Sequence, residues 1–549
     1  MKKIVFISCV EFMTLLFAMP VSPVLEQRLK NEGRYNQIIE QLIDAKRKGV
    51  DAANLNPVRI QHGRSVTLNA IAILVDFSDN VATTDTLHYD SLLASLGTYP
   101  TGSFRDYFLE TSYDSVDIII TVVGWLRMDS TYAFYVDGQY GMGNYPRNSQ
   151  KLAEDAVWAA DPLVDFSQFD NDNDGDIDAL FIVHAGPGAE STGNPHHMWS
   201  HAWWTVNVPY VDGVYATTYS TEPENGNIGV FCHEAGHSLF GLPDLYDYGY
   251  DSYGVGMWSL MGYGGWGNGG RRPTHLDAWC KIQCGFLIPQ VPTSNQTGVQ
   301  FPSVEFSPVV YKLWTAGAPN NEFFLAENRQ KVGFDNYLPA AGMLIYHVDE
   351  NQSGNNNQWY PGHTTSGHYL VAVEQADGRW DLEQYYNVGD AGDPYPGSFV
   401  NRTFNDTTIP DSKDYLFNTT SVSVENISDS GDTMTADINV VLVGIEEITI
   451  HNLEMPKLEV YPSITNDAFT ISFLVNSEHT SVSLRIYDAA GRLVKSFDNV
   501  STNIDHIIWR AKNEYGNTLP SGIYFVQLTT DHAGAGGSFS TVKRVILVK

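Results

Sequence analysis

Cysteine is scarce: the 549-residue chain has four. Cys9 falls in an apolar leader, which leaves Cys232, Cys280 and Cys284, an odd number that excludes a disulfide scaffold. Cys280 and Cys284 are spaced for one helix face, poor geometry for a bridge, and read as buried small hydrophobes. Positive charge is also short. Lys and Arg total 32 against 64 Asp and Glu, a net charge of −32. Such a field repels nucleic acids and anionic membranes and suits a secreted protein that binds divalent cations. Beyond the leader no apolar run approaches the ~20 residues that span a bilayer. The composition is otherwise globular, with 43% hydrophobic and 12% aromatic residues, and the length calls for several domains.

The first stretch, MKKIVFISCVEFMTLLFAMPVSPV, places two lysines before an apolar run and reads as a signal peptide over residues 1–22. Residues 23–63 contain LEQRLKNEGRYNQIIEQLIDAKRKG, helical in pattern. They read as a pro-segment with Lys46-Arg47-Lys48 as an exposed nick site. Residues 64–290 mix apolar strands (67–79, 116–126, 177–186) with a helix at 148–163, so a mixed α/β catalytic domain is expected. FFLAENRQ, AGMLIYHVDE and GHYLVAVEQADG are short strands of a β-rich domain, 291–445, packed on the catalytic unit. Residues 452–549 alternate apolar and polar positions between Gly, Asn and Ser turns, which fits a small β-sandwich.

The sharpest motif is FCHEAGHSLFGLPDLYD, residues 231–247. On a helix His233 and His237 lie one turn apart on one face, where two imidazoles can grip one zinc ion. Glu234 beside them is placed to take a proton from water that zinc has acidified. Gly241 can end the helix in a left-handed conformation and Pro243 bars its continuation. The returning chain brings up Asp244 as third ligand, with Asp247 or a distant glutamate as alternatives. In GMWSLMGYGG, Met261 offers an adaptable apolar support beneath the ligands, and Tyr263 is a candidate donor to the oxyanion.

FDNDNDGDIDALF is the second signal. Asp170, Asp172, Asp174, Asp176 and Asp178 alternate around Gly175, the spacing of a calcium loop. Phe181 stands where an EF-hand has its glutamate, so the loop leads into a strand instead. Glu190 with His196, His197 and His201 can shape a cleft or hold a second ion. Asp390 and Asp393 are candidates for a further calcium turn.

HEAGHSLFGLPDLYD, with FDNDNDGDIDALFIVHAGPGAE before it and WSLMGYGG after it, resembles the immune inhibitor A group of secreted bacterial metalloproteases over residues 64–440. The resemblance implies a metzincin-like α/β zinc protease domain, structural calcium, an N-terminal pro-segment and endopeptidase action on extracellular proteins. Carried over, it makes His233, His237 and Asp244 the zinc ligands, Glu234 the general base, Met261 the support and Tyr263 a catalytic tyrosine. Phe240 sets Asp244 one residue farther from His237 than in related zinc enzymes. VYPSITNDAF, IYDAAGRLV, LPSGIYFVQL and KRVILVK resemble the C-terminal sorting domain of the type IX secretion system. That implies this machinery as partner, export across a Gram-negative outer membrane, and release or surface attachment. The expected protein is a secreted zinc metalloendopeptidase. A metal-stabilised adhesin or a zinc amidase acting on a non-protein substrate are the alternatives, which Glu234 and a comparison of substrates would separate.

Overall fold

A computed structural model describes residues 19–441, apart from 51–56, 59, 61, 62 and 364–366, and residues 457–549, apart from 475–478, 499, 501–505 and 533–537. Most of the expected signal peptide, with Cys9, lies outside the described residues. The chain divides into two compact units, Met1–Leu442 and Val443–Lys549.

The first unit is built on β1 (Val66–Asp76), whose Ala70–Val75 are wholly buried. A continuous apolar run of this kind is what a parallel strand covered on both faces requires. Beside it run β2 (Val116–Arg127) and β3 (Leu180–His184), followed by β4 (His201–Trp204) and β5 (Thr218–Pro223), in the order β2-β1-β3-β5-β4. Four strands are parallel and β4, the edge, is antiparallel to β5. Of the five helices that follow, three open on a side-chain cap. α1 (Pro23–Glu32) begins on Ser22, whose hydroxyl accepts from Leu25 N at 3.2 Å. It is followed by α2 (Tyr35–Arg47). α3 (Phe104–Thr111) opens on a reciprocal Ser103–Asp106 capping box. α4 (Ser149–Ala160) is capped by Asn148. α5 (Ile228–Ser238) is buried at every position.

Residues 291–441 fall in the same unit. Strands β6 (Tyr311–Leu313), β7 (Glu322–Arg329), β8 (Gly342–Asp349) and β9 (Val371–Val373) form an antiparallel sheet in the order β9-β8-β7-β6. One face of it, through Leu325, Leu344 and Tyr346, joins the core of the catalytic sheet. The other face, through Phe324, Met343 and Ile345, packs with Phe301 and Met434 of a three-stranded sheet. The buried Arg329 ties the layers together: its guanidinium holds Asp335 at 2.7 Å and donates to the Trp258 carbonyl at 3.0 Å. Glu327, at 3.1 Å, shares the pairing with Asp335, because an unpaired cation at full burial is prohibitively costly.

The second unit is β-rich, with a three-stranded and a five-stranded sheet. Ile471 and Trp509 from the first share one hydrophobic core with Leu484 and Val526 from the second. The three cysteines outside the leader are buried and free.

One expectation for the N-terminal segment is corrected. Arg47 and Lys48 are exposed, but Lys46 is buried. Its ammonium donates to the Tyr246 hydroxyl at 2.9 Å and lies 3.8 Å above the centre of the Tyr248 ring. A lysine stem packs well on apolar surface when aromatic faces receive its head.

Candidate metal centre

α5 carries the motif, and its end follows from the residues after it. Gly241 takes φ +62°, and Leu242 N returns to the Gly236 carbonyl at 3.0 Å, which satisfies carbonyls left open at the helix end. Phe240, the additional residue, is buried between Phe108 and Phe286 with ring centroids 5.6 and 5.2 Å away. The turn therefore absorbs the extra residue into the core, and Asp244 still comes back to the histidines.

Nε2 of His233 and Nε2 of His237 stand 3.3 Å apart. Asp244 Oδ1 is 3.0 Å from the first and 3.5 Å from the second. All three side chains are wholly buried. Each imidazole is fixed from behind: His233 Nδ1 donates to the Leu260 carbonyl at 3.0 Å and His237 Nδ1 to the Leu242 carbonyl at 2.7 Å. A carbonyl can only accept, so in the neutral rings the proton sits on Nδ1 and the Nε2 lone pairs face forward. Two nitrogen lone pairs and a carboxylate oxygen then meet with no proton among them, which is the donor set and outer support of a zinc site. Asp247 is not part of it. That carboxylate accepts from Gly249, Asp251 and Ser252 N at 2.8–3.1 Å and organises the next turn.

Glu234 is wholly buried and neither carboxylate oxygen has a hydrogen-bond partner among the described residues. Burial pushes its carboxyl well above the usual range; His233 opposes that shift, while Glu222, Asp244 and Glu190 add to it. Glu222 on β5 shares this state, with both oxygens buried and unbonded. It was not singled out from sequence: a lone glutamate in TYSTEP gives no sign of which face it takes until the strand register is known. Met261 lies directly under α5. A methyl group at Gly236 would sit 2.6 Å from its sulfur, so glycine there permits the close approach. Tyr263 is buried with its hydroxyl unbonded among the described residues. Its ring meets Tyr246 and Tyr253 at 6.2 and 5.2 Å, and Tyr246 lies 6.5 Å from the His233 ring.

The N-terminal segment is tied to stretches of chain before and after α5. Trp199 Nε1 donates to the Met19 carbonyl and Trp266 Nε1 to that of Pro20. Arg28 and Arg34 donate to the carbonyls of Thr192 and Gly193. The Tyr253 hydroxyl donates to Glu26 at 3.0 Å, and Val58 N to the carbonyl of Leu239, just past α5.

In the acidic loop Asp170, Asp172 and Asp174 bring carboxylate oxygens together closely enough to share a cation. Asp176 and Asp178 turn away. Asp176 accepts from the Thr217 hydroxyl. Asp178 accepts from Asn171 N and Nδ2 at 2.6 and 2.9 Å, and burial raises it to about 6. Among the described residues the metal-capable groups converge only here and at His233, His237 and Asp244. His201 is engaged by Ser149 and the Trp199 carbonyl, His197 by Thr192 and Asn194, and Glu190 by Ser200. Asp393 accepts from Trp258 Nε1 at 2.8 Å.

Fold and site together define a metallopeptidase-type domain. Residues 56–285 match the family model for the immune inhibitor A peptidase M6 catalytic domain, and residues 459–546 that for a secretion system C-terminal sorting domain. The chain carries both domains and is a secreted or surface-attached protein. It is 37% identical over 207 residues to immune inhibitor A of Bacillus thuringiensis subsp. alesti, covering 31% of this chain and 30% of that one. It is 32% identical over 312 residues to the pre-pro-metalloprotease PrtV of Vibrio cholerae serotype O1, covering 47% and 33%. The matched stretch thus spans about a third of the length of these relatives. Latent PorU from Porphyromonas gingivalis aligns at 20% identity over 23% of this chain and 12% of that one, with a TM-score of 0.16, too low to argue from.

Proposed function

We propose that the chain is a zinc metalloendopeptidase, made in latent form, that hydrolyses peptide bonds of proteins outside the cell. The observation that carries this reading is Glu234, buried with both oxygens unbonded among the described residues, beside three converging metal-capable atoms. An uncompensated buried carboxyl costs several kcal/mol, and a purely structural metal has no use for it. His233, His237 and Asp244 would hold the zinc. When bound, zinc supplies Lewis-acid chemistry, acidifying water and polarising a carbonyl oxygen. Glu234 accepts the proton of the attacking water and passes it to the leaving amine nitrogen. The Leu260 and Leu242 carbonyls keep both imidazoles in the tautomer the site needs. Tyr263 is proposed as a donor to the developing oxyanion once the segment in front of it is removed.

Latency is inferred from the complete burial of the ligands together with the contacts that Pro20, Arg28, Arg34, Lys46 and Val58 make with Trp266, Thr192, Gly193, Tyr246 and Leu239. We assign residues 23–63 as the pro-segment, 170–174 as a calcium loop that braces the start of β3, and the C-terminal unit as the domain read by the type IX secretion machinery. The test is Glu234→Gln in the processed protein. Hydrolysis of a protein substrate is expected to fall by about 10²–10⁴-fold with zinc content unchanged at one per chain. Retained proteolysis would remove Glu234 from the chemistry, and activity confined to non-protein amides would replace the peptidase reading.

A further inference from the structure

A second cavity of about 680 Å³ lies away from the metal centre, over the β8–β9 edge of the antiparallel sheet. Trp359, Tyr360, Trp380, Tyr415 and Phe417, from three separate connections, line it. Two of them are held at a cost: Trp380 has φ +53° and Phe417 φ +64°, a region that bulky side chains enter only under strain of about 1–3 kcal/mol. Tyr415 is stacked between His347, 4.0 Å away, and His368, 3.7 Å away.

The charged part of the lining is mainly acidic: Glu374, Glu383, Asp411 and Asp414 face it, with Lys413 the one lysine or arginine among the described lining residues. The cations in the lining are already engaged. His347 is clamped between Glu322 and Glu374 at 3.0 and 3.1 Å, and Lys413 is paired with Asp411 at 3.1 Å. Glu383 is buried and accepts from the neutral Gln375 amide at 2.6 Å. Among the described residues no Lys or Arg pairs with Glu374 or Glu383, and none lies over the Trp359, Tyr360, Trp380 or Tyr415 rings. Trp359 and Trp380 faces with no Lys or Arg over them, beside Glu383, whose partner is a neutral amide, and Oε2 of Glu374, whose Oε1 alone is taken by His347, favour a guest that brings positive charge on a flat or methylene-rich stem. The chain's charge of −32 adds attraction at long range. The volume exceeds one side chain and leaves room for flanking residues.

We infer that this cavity binds an arginine or lysine side chain of a polypeptide, with the charged head at Glu374 and Glu383 and the stem between Trp380 and Trp359. Binding of the cation stands independently; its use to hold substrate away from the scissile bond rests on the peptidase reading above. The experiment uses full-length Glu234→Gln protein, so that binding is measured without turnover. The probes are acetyl-Gly-Arg-Gly amide, its lysine analogue and its citrulline analogue, followed by tryptophan fluorescence and calorimetry. The arginine peptide is expected to bind at least about tenfold more tightly than the citrulline peptide, which is isosteric and uncharged. Trp380→Ala and Glu374→Gln should each weaken it by about three- to thirtyfold. Because Glu374→Gln also disturbs His347, Trp359→Leu provides a second probe, with circular dichroism confirming the fold of each variant. Equal affinity for citrulline, wild-type affinity in all three variants, or selective binding of a neutral oligosaccharide would each overturn the inference. Binding that survives in a protein found to lack peptidase activity would sustain the cation site and sink only its role in substrate capture.

Discussion

Gly49 offers a clean test of the proposed latency, because it lies in the proposed pro-segment and its substitution would leave the processed enzyme unchanged. It has φ +91°, and a methyl group there would sit 1.9 Å from the Trp204 ring at the end of the edge strand β4. Gly49→Ala therefore adds two costs to the docked state. A left-handed backbone disfavours an L side chain by about 1–2 kcal/mol. Overpacking against the indole costs about 1–3 kcal/mol, with the lower end favoured because Trp204 is 37% exposed and can swing aside. Together these amount to about 2–5 kcal/mol. At 1.4 kcal/mol per tenfold, the fraction of intact chain with the segment lifted should rise by roughly 30- to 3,000-fold. The assay is hydrolysis of a fluorogenic peptide by freshly purified, uncleaved chain loaded with zinc. Cleavage at Arg47–Lys48 by an added protease should accelerate in parallel, and after processing both proteins should have the same kcat/KM. An intact Gly49→Ala chain as silent as its parent, and cut no faster, would refute the claim that docking at β4 keeps the centre closed.

Three further outcomes are expected. Removing calcium should lower the Tm, and Asp172→Asn should abolish that response, because Asp170, Asp172 and Asp174 alone converge in the loop; calorimetry that does not distinguish the two buffers would count against a bound ion. Phe240→Ala should cost about 3–5 kcal/mol in denaturant unfolding, since the ring is buried between Phe108 and Phe286; a loss below 1 kcal/mol would show that the turn does not depend on this packing. Burial raises the Asp393 carboxyl to about 7, above its ordinary value near 4. The folded chain keeps a proton there that the unfolded chain gives up, so this group's contribution is complete below about pH 4 and is lost as pH rises through about 7. Asp393→Asn should flatten that decline, by an amount on the order of a few kcal/mol, when unfolding is compared at pH 5 and pH 8.

The convergence of His233, His237 and Asp244 was legible because its information is local. Two histidines four apart, a glycine and a proline define a helix, its end and a return, and the carboxylate three residues beyond Gly241 needs no distant partner. β1, β2, β3 and α4 were legible for a similar reason: continuous apolar runs and a helical repeat mark them without tertiary help. What escaped depends on register and long-range packing. The edge strand His201–Trp204 is only four residues long, and its identity comes from pairing with Thr218–Pro223. Glu222 becomes notable only once that register turns it inward. Lys46 looks like part of a solvent-exposed basic run until Tyr246 and Tyr248, some two hundred residues away, receive it. Asp176 and Asp178 fit the alternation of the calcium loop as well as their neighbours do; Thr217 and Asn171 draw them off. The aromatic cavity is assembled from connections that share no motif.

The N-terminal segment touches β4, the turn at Thr192–Gly193, the glycine loop at Trp266 and the tyrosine run at 246–253, pieces that are far apart in sequence. A strap that grips four separate pieces at once is also a jig for their assembly. It fixes their ends together during folding and so reduces the entropy each must lose alone. Synthesis without residues 19–60 should therefore yield a protein that reaches its shape slowly and in lower yield, and supplying the strap as a separate peptide during refolding should restore it. Once the loops have set and the metal is bound, the jig can be discarded.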